Sequence, residues 1–330
     1  MKDYFVGKLR DDSVYIDNMI KGGLEALPPA VLTCAITGGI HGSESNPNLP
    51  EKIDDQVQSI IDAYNAGAVM VHIHVRNPEK LGEMTPYVEG YKEINRKVRD
   101  ACPDIIINNT AMGGRFVLPD GSFSPYSLTS LGAHPEVISF DMANIYEVMN
   151  LRRRPEDGGG RYERVLHYIS PPNDCMEILK LMEEGEAKPE FEFFDVAGIK
   201  LLREVIRRRE KEGKEIAKPY WCSVLFGGNG TLPSVKQIIQ VAEMLPPEVM
   251  LQVIGIGVAQ PALTTAGLIL GHNIRVGLED NVFYKKGVLA ESNAQLVERA
   301  VRTAKEIGRR LATPAEAREM MGLGAPRKYD

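Results

Sequence analysis

The sequence predicts an α/β fold closed as a (β/α)8 barrel of the TIM type. Three observations carry this. The chain has 330 residues, enough for one barrel of ~250 residues with additions. Short β-branched runs alternate with longer helix-like segments, which implies parallel strands joined by helical crossovers. Eight such runs occur, and eight repeats favour closure over an open doubly wound sheet, the structural alternative.

Residues 1–30 precede the first run and read as an N-terminal extension, placed to cover the barrel bottom or a partner subunit. Residues 31–330 form the barrel domain. The strand runs are 31–37, 68–75, 105–109, 136–141, 190–194, 220–226, 250–256 and 273–279. Several are apolar throughout, as strands buried on both faces are. After the first run, Ile53, Val57, Ile60, Ile61 and Tyr64 recur at helical spacing and stop before Gly67, a C-cap. Tyr91, Ile94 and Val98 repeat the pattern after the second. Residues 143–170, with Arg152–Arg154 and Gly158–Gly160, form a long polar insertion after the fourth strand. A barrel places it on the catalytic face, as a lid or subunit contact. Leu201, Leu202, Val205 and Ile206 form an apolar stripe after the fifth strand. The following Arg207, Arg208 and Arg209 alternate with acids from Glu210 onward and read as a solvated helix face, a patch for an anion being the lesser alternative. Pro233 fits the first position of a helix after the sixth strand. Ser292 to Gln295 and Thr313 to Glu316 fit capping boxes that open the last two helices.

Hydrophobic residues make up 43% of the chain and charged residues 25%, so an ordinary core forms without staples. The net charge of -6 argues against a nucleic-acid binder, which needs a basic face. Cys34, Cys102, Cys175 and Cys222 form no CxxC pair and read as reduced thiols. The N-terminus lacks the apolar stretch of a signal peptide. No run approaches the ~18 apolar residues that span a bilayer. A soluble cytoplasmic protein, with no membrane partner, is the expectation.

His72 and His74 give the sharpest local signal. Residues i and i+2 of a strand share a face, so both imidazoles project together. A buried histidine pair must place four ring nitrogens, and a divalent metal satisfies one from each ring. Glu279 ends the last strand, where barrel enzymes keep catalytic groups. It supplies a third ligand and leaves an open position. Asp280 and Arg275 then offer a base and its cationic partner. Glu190 and Glu192 are a second i, i+2 pair, for which a site role and a structural ion pair weigh equally. Asn108, Asn109 and Thr110 end the third strand as substrate contacts or as turn residues. The glycine-rich stretches holding Gly228, Gly230 and Gly257 follow strands six and seven. They suit a phosphate-bearing cofactor or simple tight βα turns, and they lack a dinucleotide fingerprint.

The segments from Thr33 to Gly38, Val71 to Arg76 and, above all, Gly277 to Val297 resemble the β-keto acid cleavage enzyme family, with similarity from about Val31 to Met321. The resemblance implies a TIM barrel, bound zinc and an oligomer, a homodimer or homotetramer. The implied partners are a β-keto acid and acetyl-CoA, which give acetoacetate and a new acyl-CoA. Matched by motif, His72, His74 and Glu279 are the zinc ligands. Asp280 is the general base, Arg275 its partner, Glu192 a further site carboxylate, and Thr110 lies at the substrate-binding hydroxyl. In a characterised member an acid in the loop after strand one contacts a substrate amino group. Here that loop reads Gly38 to Glu44, and His41 falls near the position, so the resemblance implies reaction class more than substrate. A CoA-independent metal-dependent aldolase or lyase is the alternative.

Overall fold

The computed structural model describes residues 12–112, 114–125 and 128–329. The eight predicted runs are the eight strands of a closed parallel barrel. They are β1 (Leu32–Ala35), β2 (Met70–Ile73), β3 (Ile106–Met112), β4 (Val137–Asp141), β5 (Lys188–Phe193), β6 (Tyr220–Phe226), β7 (Val249–Gly255) and β8 (Asn273–Val276), with β8 pairing back onto β1. Helices α1 (Asp12–Gly22), α2 (Ile53–Ala66), α3 (Val88–Ala101), α4 (Pro172–Glu184), α5 (Val196–Lys211), α6 (Val235–Met244), α7 (Gln260–Ile269), α8 (Asn293–Glu306) and α9 (Pro314–Met321) flank the sheet. Between β3 and β4 no helix longer than the 3-10 turn Thr129–Ala133 occurs among the described residues, and the short strand Arg115–Phe116 precedes it.

Alternation along the strands sorts side chains into an outer shell and a layered interior. Outward residues such as Ile73, Ile107, Phe140, Phe191 and Val253 pack beneath the helices in two large clusters. The lowest interior layer is apolar: Val31, Met70, Ile106, Val137, Trp221 and Met250 meet Ala317, Met320 and Met321 of α9. The C-terminal helix therefore plugs the barrel bottom, a role the sequence offered to the N-terminal extension. Residues 1–11 of that extension lie outside the described residues; its remainder packs at the C-terminal ends of α7 and α8, with Tyr15 donating to Ile269 O (2.8 Å) and Val14, Tyr15 and Ile307 packing on Leu24 and Leu27.

The middle layer is polar. Glu190 accepts from Asn108 and Ser223 and, at 3.1 Å, from Gln252 Nε2; Thr33 Oγ1 donates to Gln252 Oε1. Such a network is stable because each member finds a partner. It ties the middles of β1, β3, β5, β6 and β7 together beneath the mouth.

The caps follow the sequence with one shift. Thr313 and Glu316 form the full capping box, and Ser292 accepts from Gln295 N. At α6 the cap is Ser234, with Pro233 one residue outside the helix rather than at its first position. All four cysteines are buried, and none is in a disulfide. Among the described residues no helix is long and apolar enough to cross a membrane.

The polar insertion is a two-stranded antiparallel hairpin, Asn144–Arg152 paired with Arg161–Ile169. The strand Arg115–Phe116 adds to its second arm. Its tip is fastened across the barrel. Arg154 pairs with Glu51, approaches Glu44 at 3.6 Å and donates to Leu81 O at 3.2 Å, all on segments that follow β1 and β2.

Candidate active site at the barrel mouth

His72 lies on β2 and His74 just beyond its end, and both rings turn inward. Their Nε2 atoms are 2.9 Å apart. Glu279 Oε1 sits 3.6 Å from the Nε2 of His72 and 3.5 Å from that of His74. Glu279 arrives on the turn after β8, and two glycines admit it. At Gly277 (φ 139°) a Cβ would lie 2.0 Å from Ala35 O, so β8 can pass β1 this closely only without a side chain. At Gly38 (φ 70°) a Cβ would lie 2.6 Å from Glu279 Cγ.

The three atoms fit a metal. A tetrahedral ion with bonds of about 2.0–2.2 Å spaces its ligands by about 3.3–3.6 Å. Two edges of this triangle match, and the third opens by about 0.4 Å to reach that geometry. Burial holds the His72 imidazole well below its ordinary pKa, hence neutral, as a ligand must be. Burial pushes the Glu279 carboxyl up, but Arg275, then His74 and His72, pull it well below the usual range. Its Oε2 is buried with no hydrogen-bond partner.

Charge points the same way. Arg275, 1% exposed, grips Asp280 through Nε (2.9 Å) and Nη2 (2.8 Å) and reaches Glu279 Oε1 at 2.6 Å. Its Nη1 is 3.6 Å from Glu192 Oε2 and has no hydrogen-bond partner. One guanidinium thus faces three carboxylates, with Asp141 a fourth nearby. Buried charge in such excess is costly unless a cation joins it. Burial raises Glu192 well above the carboxylate range and raises Asp280. Burial also raises Asp141 to about 7, although Tyr168 donates to it.

These groups floor a cavity of about 660 Å³ at the C-terminal end of the strands. The hairpin roofs it with Ile145, Glu147, Met149, Arg164, Leu166 and Tyr168, and Phe194, Leu225 and Ile256 wall one side. A second cavity of about 630 Å³ lies at the opposite end, between Lys188, Glu136 and the C-terminal tail. It holds none of the predicted site residues.

Comparison with known proteins decides the family. A family model described as beta-keto acid cleavage enzyme matches residues 29–323. The chain belongs to the β-keto acid cleavage enzyme family. It is 32% identical over 294 residues to the 3-keto-5-aminohexanoate cleavage enzyme of Acetoanaerobium sticklandii, covering 89% of this chain and 98% of that one. It is 29% identical over 300 residues to the 3-dehydrocarnitine:acetyl-CoA trimethylamine transferase of Rhizobium meliloti, covering 88% and 96%. It is 28% identical over 299 residues to the 3-oxoadipate:acetyl-CoA acetyltransferase of Cupriavidus necator, covering 89% and 95%. The solved apo structure of ObcA is similar in fold, with a TM-score of 0.63 and 20% identity, covering 84% of this chain and 66% of that one.

In this β-keto acid cleavage enzyme, most sequence-predicted residues meet at the mouth. His72, His74, Glu279, Asp280, Arg275, Glu192, Thr110, His41 and Gly228 all line the cavity. His41 donates from Nε2 to Leu278 O at 3.1 Å. Three predicted residues do not line it. Asn109 alternates with Asn108 and Thr110, so its side chain turns to the outer face of β3. Gly230 packs against the backbone of Leu225 and donates to Gly227 O. Gly257 spends its amide on Asp280 O at 2.8 Å, bracing the Asp280 turn. Gly230 and Gly257 sit in the turns after β6 and β7. Asp141 was missed, although it is the polar end of a predicted strand. Glu147, Arg164 and Tyr168 were missed because residues 143–170 were not read as strands. Gly158–Gly160 between two alternating runs was the available hairpin signal.

Proposed function

We propose that this enzyme binds one zinc ion through His72, His74 and Glu279 and condenses a β-keto acid with acetyl-CoA, giving acetoacetate and a new acyl-CoA. The carrying observation is the convergence of that ligand set with the Arg275–Asp280 pair on one cavity floor. Relatives named as acetyl-CoA transferases of β-keto acids support the reaction class. A bound divalent metal supplies a Lewis acid for the keto acid's oxygens. His72 and His74 contribute two imidazole ligands and Glu279 one carboxylate, which also suits nickel or cobalt, so elemental analysis decides the ion.

Asp280 takes the proton from the carbon between the two carbonyls, and Arg275 holds its carboxylate toward the cavity. The unpartnered Arg275 Nη1 faces the negative charge that develops on the substrate. The carbanion attacks the thioester carbonyl of acetyl-CoA and expels CoA thiolate. The thiolate adds to the original keto carbonyl, and the bond between that carbon and the proton-donating carbon breaks. Acyl-CoA and acetoacetate leave, with the proton returned by Asp280. No covalent bond to the protein forms. Glu192, whose carboxyl burial pushes well above the usual range, takes part in hydrogen bonding on the cavity floor, while Thr110 and His41 orient the substrate. Gly228 lines the side where a CoA chain would enter.

A homodimer or homotetramer belongs to this proposal, supported by exposed Tyr146, Val148 and Val165 on the outer face of the hairpin. Four buried cysteines without a disulfide suit the cytoplasm. Incubation with acetyl-CoA and a panel of β-keto acids tests the function. Acetoacetate formed only when acetyl-CoA is present supports it. Cleavage without acetyl-CoA would instead establish the aldolase or lyase alternative.

A further inference from the structure

The hairpin over the cavity carries a carboxylate that the chemistry above leaves idle. Ile145 pairs opposite Tyr168, Glu147 opposite Leu166, and Met149 opposite Arg164. Side chains alternate between faces along each arm, and these residues form the inner face. Apart from Arg164, that face is apolar around Glu147: Ile145, Leu166 and Tyr168 join Phe194 and Leu225 in one cluster, with Met149 packed on it. Glu147 Oε2 is buried there with no hydrogen-bond partner, and burial raises the carboxyl's pKa. Glu147 is half-buried as a whole, and this one buried oxygen is left open to a donor on a bound ligand.

Charge selects that partner. The cavity lining holds six carboxylates (Glu83, Asp141, Glu147, Glu192, Glu279 and Asp280) against the guanidiniums of Arg164 and Arg275. Glu83 is exposed and pairs with Lys80, and Glu192, Glu279 and Asp280 gather around Arg275 on the floor with Asp141 beside them, so among the described lining residues the roof carboxylate Glu147 is the one left without an ion pair. Position selects which part of the substrate is read. Tyr168 bonds Asp141 on the floor, and Glu147 lies on the next row, on the order of 7 Å along the hairpin. That is the reach of an acyl substituent rather than of the keto or carboxylate group.

We infer that Glu147 is a specificity-determining residue that selects β-keto acids whose acyl chain carries a cationic nitrogen. This rests on the proposal that the cavity takes a β-keto acid. Relatives are named for amino, trimethylamine and dicarboxylate substrates, so the charge of the substituent is a real choice within the family.

The test is calorimetric binding to the zinc-loaded enzyme of three β-keto acids of equal length, ending in an ammonium, a methyl or a carboxylate group. The wild type binds the ammonium acid on the order of tenfold or more tighter than the methyl acid. Glu147→Gln removes that difference and leaves methyl-acid binding unchanged; Glu147→Asp keeps part of it. Equal binding of the ammonium and methyl acids by the wild type, a preference for the dicarboxylate, or a preference that survives Glu147→Gln would each overturn the inference. Acetoacetate release is followed in the same samples with acetyl-CoA. If binding shows the preference but no acid yields acetoacetate, acyl transfer fails and the role of Glu147 stands.

Discussion

Replacing Gly38 by alanine tests how the metal site is built. The new Cβ would lie 2.6 Å from Glu279 Cγ and 3.3 Å from its Cβ and Cδ. Carbon atoms prefer separations of about 3.5–4.0 Å, so the Glu279 stem must retreat by about 1 Å. Gly38 also sits at φ 70°, where a non-glycine residue costs about 1–2 kcal/mol. Arg275 limits the retreat, because its Nη2 holds Glu279 Oε1 at 2.6 Å. A ligand moved by about 1 Å no longer closes a bond of about 2.0–2.2 Å. Zinc affinity should fall at least as far as when supporting residues around a metal are removed, about 10- to 100-fold. The fold should survive with a melting temperature lower by a few degrees. Competition with a fluorescent chelator measures the affinity, and circular dichroism the melt. A variant that binds zinc as tightly as the wild type would refute the claim that Gly38 admits Glu279 as a ligand.

Asp280→Asn should lower acetoacetate formation by about 10²- to 10⁴-fold, the usual range for a lost general base, while elemental analysis still finds the metal. Arg154→Ala frees the hairpin tip from Glu51, Glu44 and Leu81. It should speed hydrogen exchange across Asn144–Arg152 and Arg161–Ile169 and raise KM more than it lowers kcat, with metal content unchanged. Asp141 gives a pH signature. Its carboxyl sits at about 7 in the folded chain against an ordinary 3.8, so the folded state holds the proton more tightly. Its contribution is fully present below about pH 4 and is lost as pH rises through about 7. Denaturation of the metal-free protein between pH 5 and 8 should show that loss, and Asp141→Asn should flatten it.

Legibility in the sequence followed periodicity. The barrel strands are short, apolar and buried on both faces, so all eight stood out. His72 and His74 were readable because strand parity alone places both rings on one face, and Glu279 because polar residues at a strand's C-terminal end have few other uses in a barrel. The same parity separates Asn109 from Asn108 and Thr110: those two face inward, and their neighbour does not line the cavity. The hairpin stayed hidden because both its faces mix polar and apolar side chains; Glu147 and Arg164 interrupt the inner face, and Tyr146, Val148 and Val165 make the outer face apolar in places. The crossing from Arg154 to Glu51, and the plug formed by α9, join residues far apart in sequence, and no local pattern announces either.

Anomalous diffraction from zinc-loaded crystals tests the central claim most directly. One strong peak should appear about 2.0–2.2 Å from His72 Nε2, His74 Nε2 and Glu279 Oε1, and the same experiment on His72→Ala should show none. A peak elsewhere in the cavity, or one that persists at full height in the mutant, would contradict the assignment of these three residues as the metal's ligands.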